Sequence, residues 1–566
     1  MKRTNLNIIL FLSVIFALTL LLKANSADNL TVEVQNLKIK TLPSEHNFIG
    51  VNWHGDNIYN HNERKISYNE YIFSNQQHLK AFIEVLRESN IDIIRYPGGE
   101  NISHYFWDIP NEKVYEARKK WHDEDKSIRY QRFFKPSDRL DFPLFLKFCK
   151  EAEFKATIQV NPHTYFDVGN NRIIPLKTYQ RDSTNDRIWS TGKVNWKLVE
   201  EAAKSAGRQV KWVKQNGYSS TVKYWEIGNE EMVKVPVCPV FTGNEYGRIA
   251  AMFMKEMKTA DPSIKIILTG AARPAKSYEN FDNDELPSNV WGKSVLTELS
   301  KFKNQIYAVS AHTYPYGNTK KDTSFTAFRN NILNNSDLNL RERLNFHEKQ
   351  LNDSGFTNTV IFLNEFNASH YSSSYARTWL GSIGNAEIIM SCANVPSCHH
   401  VDYFQLLSDH WTESDIYTNR GFGLFHYAKD FQKLFILQPV ANVISLLNEN
   451  IKGNVLKTVF NNKGIEVVSS SDAGLLRINI LNKEKSRTIN LKLSGFDNHK
   501  YTGSKMLGID VAETFTTINT GDSRTNPSEV RLLNTLEDAV KINSKNGIYT
   551  VDLPANTLSV FYFKKG

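Results

Sequence analysis

Eight short apolar runs, separated by longer stretches, set the limits on what this chain can fold into. They lie at 48–53, 91–99, 156–162, 223–230, 264–270, 306–314, 359–367 and 401–407. Apolar residues between them recur at helical spacing, for example over 77–89, 142–152, 195–216 and 246–260. Strands that alternate with helices argue for parallel βαβ units. A count of eight argues for closure into a (β/α)8 TIM barrel. The competing arrangement is an open doubly wound sheet, which usually carries a Gly-rich phosphate loop, and none is visible in this sequence.

From about residue 430 the pattern changes. Short β-rich runs at 464–468, 475–481 and 557–563 are separated by turn residues and read as a C-terminal antiparallel β-sandwich over 431–566. An early run alternates through Leu30, Val32 and Val34 and continues to Leu37 and Ile39. This N-terminal strand, within 28–44, is expected to pair with the sandwich, leaving 45–430 for the barrel. No repeat or low-complexity linker separates the two domains, so they are expected to dock closely.

Of the 566 residues, 41% are apolar and 12% aromatic, enough for a large core and against disorder. Residues 1–27 read as a signal peptide: Lys2 and Arg3, an apolar stretch from Ile8 to Leu22, and small residues at Ala24-Asn25-Ser26. That stretch, about 15 residues, is short of the ~20 a spanning helix needs. The expectation is a secreted or periplasmic protein without stable membrane insertion. Without Lys2, Arg3 and Lys23 the formal charge falls from +9 to +6, a mild excess that calls for no nucleic-acid partner. Nothing in the sequence fixes an oligomeric state.

An oxidising compartment permits disulfides. Cys392 and Cys398 are close enough in sequence for a small-loop bridge, while Cys149 sits in a helical pattern as a buried thiol; Cys238 is the fourth cysteine. No Cys/His spacing matches a zinc site, and the adjacent His399 and His400 point to opposite faces of a strand. Neither metal nor cofactor is expected.

The chemistry concentrates at two strand ends. Lys223-Tyr224-Trp225-Glu226-Ile227-Gly228-Asn229-Glu230 ends the fourth run, and Val360-Ile361-Phe362-Leu363-Asn364-Glu365 lies in the seventh. Catalytic groups of such barrels sit at the C-terminal rim. Strands four and seven face each other across the mouth, so Glu230 and Glu365 can oppose one another, and carboxylates ~5–5.5 Å apart suit a retaining glycosidase. Glu226, on the same strand face but deeper, reads as a buried partner, with Arg95 as its candidate cation. His163, after the third strand, and Trp411, after the eighth, either line a sugar site or pack beneath it.

These motifs resemble the clan A retaining glycoside hydrolases. Tyr224–Glu230 matches their acid/base signature and Leu363-Asn364-Glu365-Phe366 their nucleophile strand. Arg95-Tyr96-Pro97-Gly98-Gly99 is similar to the second-strand motif of the α-L-arabinofuranosidase branch, and His312-Thr313-Tyr314 to the sixth-strand His-x-Tyr. The resemblance implies Glu230 as acid/base, Glu365 as nucleophile, Asn229 on the sugar 2-hydroxyl, Tyr314 holding the nucleophile and Arg95 keeping it ionised. Glu100 and the opening Gly50-Val51-Asn52-Trp53-His54-Gly55 depart from that branch and leave the substrate open. The expected function is polysaccharide or oligosaccharide cleavage by double displacement, arabinofuranosidase-like. The alternatives are a β-glycanase or β-glycosidase of the same clan acting on xylan, an algal galactan or a uronic-acid glycan, and a non-catalytic glycan-binding barrel.

Overall fold

The computed structural model describes residues 30–53, 68–73, 75–124, 140–178, 180–181, 188–189, 192–231, 241–270, 288–315, 329–330, 332–333, 340–368, 378–408, 423–427, 435–460, 464–508, 531–533, 543–545 and 548–566. The expected signal peptide, Cys238 and Trp411 lie outside the described residues.

The strands begin with β1 (Leu30–Thr41). The next eight are β2 (Ile49–Asn52), β3 (Ile93–Tyr96), β4 (Lys155–Val160), β5 (Val222–Ile227), β6 (Lys265–Thr269), β7 (Ile306–Thr313), β8 (Val360–Phe366) and β9 (Cys398–Tyr403). These eight close into a barrel in sequence order, every pairing parallel. The described helices of eight or more residues are α1 (Gln76–Glu88), α2 (Asn111–Glu124), α3 (Phe142–Glu151), α4 (Trp196–Gln215), α5 (Gly243–Ala260), α6 (Ser288–Glu298), α7 (Leu340–Asp353), α8 (Trp379–Ala393) and α9 (Pro439–Asn450). Local chemistry sets several ends: Asn195 caps α4 by accepting from the Leu198 N–H, and Thr242 with Glu245 forms a capping box on α5.

Strand alternation divides the barrel interior into layers. Ile93, Tyr224, Ile267, Ala308 and Phe362 form an apolar cluster. Two residues further along their strands, towards the C-terminal ends, Arg95, Glu226 and Asn364 are buried together with Asn52, Gln159 and Asp402. The site is therefore founded on a polar layer resting on an apolar one. Gly50 belongs to this packing: a Cβ there would come within 2.3 Å of the Asp402 carboxylate.

The second unit is a ten-stranded sheet. After β1 its strands are β10 (Asn454–Phe460), β11 (Ile465–Asp472), β12 (Leu475–Asn482), β13 (Arg487–Ser494), β14 (His499–Gly508), β15 (Arg531–Leu533), β16 (Asn543–Lys545), β17 (Ile548–Leu553) and β18 (Thr557–Lys565). The order is β15-β14-β18-β12-β11-β10-β1-β13-β17-β16. All pairings are antiparallel except β1 with β13; Val32 lies between Phe460 and Leu491. The sheet curls over its own core, to which Val32, Val34, Ile478, Ile480, Leu491 and Phe561 contribute. Val468, Leu481, Leu558 and Val560 on the opposite face join the barrel's core. The inner strands are thus buried on both faces.

Three features differ from the sequence reading. α9 falls in the segment assigned to the sandwich, yet Val440, Val443, Ile444 and Leu447 pack into the barrel core. The loops after β3 and β4 carry structure of their own: α2 packs on the hairpin of Thr164–Asp167 with Arg172–Pro175 through Val114, Trp121, Phe166 and Ile173. Cys392 and Cys398, where α8 ends and β9 begins, are free buried thiols and not a disulfide; the Cys398 thiol donates to the His400 carbonyl. Lys40 donates to the backbone carbonyls of Cys392, Val395 and Cys398, tying down the same turn. No helix among the described residues is long and apolar enough to cross a membrane.

Candidate active site

Arg95 is the hub. Its guanidinium, wholly buried, donates to both Glu226 oxygens at 2.6 and 3.0 Å, to Asn52 Oδ1 at 2.6 Å and to Asn229 Oδ1 at 2.7 Å, and lies 3.4 Å from Glu365 Oε2. Asn364 donates to Glu226 Oε1 at 2.7 Å. Burial opposes the charge on Arg95, but Glu226, Glu365 and Asp402 outweigh that cost and hold it protonated. Four barrel strands, or the turns leaving them, meet on one planar cation. Arginine suits this place because its donors diverge in fixed directions.

Above this layer stand the rim groups. Tyr314 donates to Glu365 Oε1 at 2.5 Å, and His312 Nδ1 bonds Glu230 Oε1 at 2.8 Å and lies 3.6 Å from Glu365 Oε2. One ligand atom each from Glu230, His312 and Glu365 falls within 4.8 Å of the others. The Glu365 side chain is 9% exposed and that of Glu230 is 19%, so Glu230 is the more open to solvent. Burial works against a charged His312, yet the Glu365 charge and the hydrogen bond to Glu230 prevail, and its pKa is raised.

A histidine with two carboxylates matches some divalent-metal sites by ligand type. Here Arg95 already brings positive charge to Glu365, and His312 favours the protonated form that a metal would have to displace. The group is better suited to holding charge and moving protons than to coordination. Two carboxylates this close, one gripped by Arg95 and Tyr314 and the other sharing a proton with an imidazole, can divide nucleophilic and proton-transfer work.

Most residues singled out from the sequence converge here: Arg95, Asn229, Glu230, His312, Tyr314 and Glu365, with Glu226 beneath them. His163 does not line the cleft. It is fully buried, with Nδ1 2.8 Å from Ser103 Oγ and Nε2 3.4 Å from Glu231 Oε1, because the turn after β4 folds it behind the strand ends. The side chain of Glu100 also lies outside the described residues. Trp107 and Trp121 pack internally, Trp107 against Phe142 and Trp212, Trp121 against His104. The sequence reading did not assign Asn52, Gln159, Asn364, Asp402 or Glu231. The first four sit where strand alternation aims them inward, a signal present in the sequence. Glu231 follows Gly228 (φ +87°) and Glu230 (φ +55°), where alternation no longer applies.

The profile of the family described as "Alpha-L-arabinofuranosidase 1 domain" matches residues 85–306, a span that includes Glu230 and ends before Glu365. The intracellular exo-α-(1→5)-L-arabinofuranosidase of Acetivibrio thermocellus is 26% identical over 247 residues, 43% of this chain and 40% of that protein. A Bacillus subtilis protein of the same description is 24% identical, over 41% of this chain and 38% of its own length. The matches therefore span about two fifths of these relatives. In structure, an α-L-arabinofuranosidase from Thermotoga maritima superposes with a TM-score of 0.62 at 16% identity, covering 94% of this chain and all of that one. A family 51 α-L-arabinofuranosidase from Bifidobacterium longum gives 0.65 at 14% identity, covering 94% and 99%. At such identities these two structures speak for the fold. By family profile, by sequence and by fold, this chain resembles the arabinofuranosidase branch of the clan A glycoside hydrolases.

Proposed function

We propose that the chain is a retaining glycoside hydrolase that releases α-L-arabinofuranosyl groups from oligosaccharides or polysaccharides. The observation that carries this reading is the Glu230–His312–Glu365 cluster, with Arg95 and Tyr314 on Glu365. Glu365, placed between a guanidinium and a phenol, attacks the anomeric carbon. Glu230 protonates the departing oxygen. A covalent glycosyl-enzyme forms; water, deprotonated by Glu230, then attacks the same carbon and regenerates both groups. His312 stabilises Glu230 in its ionised phase, and Asn229, fixed by Arg95, presents its amide to the sugar. The sugar assignment is supported by the family profile and by the names of the curated relatives. Those relatives are called intracellular, whereas the basic-then-apolar start of this chain favours export; N-terminal sequencing of protein recovered outside the cytoplasm tests this.

Two variants test the roles. Glu365→Ala is expected to lose several powers of ten in kcat on every substrate, because the covalent route is gone. Glu230→Ala is expected to lose about 10²–10⁴-fold on alkyl arabinofuranosides and far less in glycosylation of dinitrophenyl arabinofuranoside, whose leaving group needs little protonation. Full activity of Glu365→Ala, or equal losses on both substrates for Glu230→Ala, would contradict the assignment.

A further inference from the structure

A second buried carboxylate sits directly after Glu230 and takes no part in the chemistry above. The Glu231 side chain has no solvent exposure. Its Oε1 accepts the Asn229 N–H at 2.5 Å and lies 1.5 Å from where a Cβ on Gly228 would stand, so the carboxylate fills the hollow that glycine leaves. The same oxygen is 3.4 Å from His163 Nε2, within ion-pair reach but not a hydrogen bond, and both that nitrogen and Glu231 Oε2 are buried without a hydrogen-bond partner. His163 is anchored in turn by Ser103 and lies parallel to the Phe241 ring, 6.2 Å between centroids. The Glu231 carbonyl accepts from the Phe241 N–H at 3.1 Å. The turn is closed from both sides, and between its ends Glu230 adopts a left-handed conformation that costs a non-glycine residue of order 1 kcal/mol or more.

Burying a carboxylate is costly unless it is compensated. His163 is the basic side chain that the described residues bring within 4 Å of Glu231. Arg95 itself does not contact Glu231; the two are joined through Asn229, whose Oδ1 accepts from Arg95 while its N–H donates to Glu231. We propose that Glu231 and His163 form a positioning pair for Glu230: the carboxylate wraps Gly228-Asn229-Glu230 around itself and fixes the angle at which Glu230 meets the leaving oxygen. Glu365 is aimed separately, by Arg95 and Tyr314. This rests on the reading of Glu230 as the acid/base.

The two supports predict a selective defect. Glu231→Ala removes the acceptor, Glu231→Gln keeps an oxygen and removes the charge, and His163→Asn removes the partner. Each is assayed for kcat and KM on an alkyl and a dinitrophenyl arabinofuranoside, with thermal unfolding and Glu230→Ala alongside. Glu231→Ala is expected to lose about 10–100-fold in kcat and kcat/KM on the alkyl glycoside with KM little changed, as a displaced catalytic group does. On the dinitrophenyl glycoside it is expected to lose no more than about threefold in kcat/KM, which reports glycosylation and not the hydrolysis of the shared glycosyl-enzyme. Glu231→Gln recovers part of that loss and His163→Asn shares it. If Glu231→Ala does not fold, the other two variants carry the same readout. Equal losses on both substrates, or no loss, overturn the proposal while Glu230→Ala still discriminates between them. If Glu230→Ala does not discriminate, the acid/base reading falls and takes this proposal with it.

Discussion

A single buried residue shows how the site's foundations respond to pH. His46 Nδ1 lies 2.7 Å from the Asn47 carbonyl and its Nε2 2.7 Å from the Tyr224 hydroxyl. The neutral ring, donating from Nδ1 and accepting at Nε2, satisfies both. Burial first, and then the neighbouring His400, push its pKa from 6.5 down to about 3. The sign of the linkage follows: below about 6.5 the unfolded chain takes up a proton that the folded chain refuses, so His46 costs stability progressively as pH falls towards 3. Urea unfolding of wild type and His46→Gln is expected to show wild type ahead at pH 7 and the gap narrowing through that window. A gap independent of pH would contradict this. The Arg95–Glu226 pairing, by contrast, was legible in the sequence: a cation and an anion on inward faces of β3 and β5, with β4 between them, leave each other as natural partners across the barrel interior.

Among the elements, legibility followed pattern. The barrel strands were found because short apolar runs rich in β-branched and aromatic residues alternate with longer helical patterns; their length and composition, more than their periodicity, separate them from buried helix. α4 was delimited almost to its caps, since Asn195 and Asn216 bracket an amphipathic repeat. α8 escaped because every one of its residues is buried; a helix without a polar face has no stripe to detect. α9 was absorbed into the sandwich because the change of pattern near residue 430 was read as a domain boundary, while the packing of Val440 and Val443 on the barrel is a tertiary fact. The rim turns were the least readable elements. Where Gly228 and Glu230 take positive φ, alternation stops predicting direction, so Glu231 turned inward unannounced and His163 withdrew behind it.

At the scale of the molecule, two cores share one wall. β11, β12 and β18 give alternate residues to the sheet's own interior and to the barrel. A buried ion pair crosses that wall: Lys483 Nζ donates to Glu387 Oε1 of α8 at 2.7 Å and to the Ile332 carbonyl at 3.2 Å. Lys483→Met removes the cation from a buried carboxylate and is expected to cost about 3–5 kcal/mol in denaturant unfolding; a loss near zero would show that the docking does not depend on the pair. At the barrel mouth, carboxylates from β8 and from the turn after β5 stand together, and the proposed function has both act on one sugar ring. Following the anomeric proton of the first-formed product by NMR, with an α-L-arabinofuranoside as substrate, tests it most directly. Double displacement gives an initial product of the same α configuration, mutarotating later; an initial β product would contradict it.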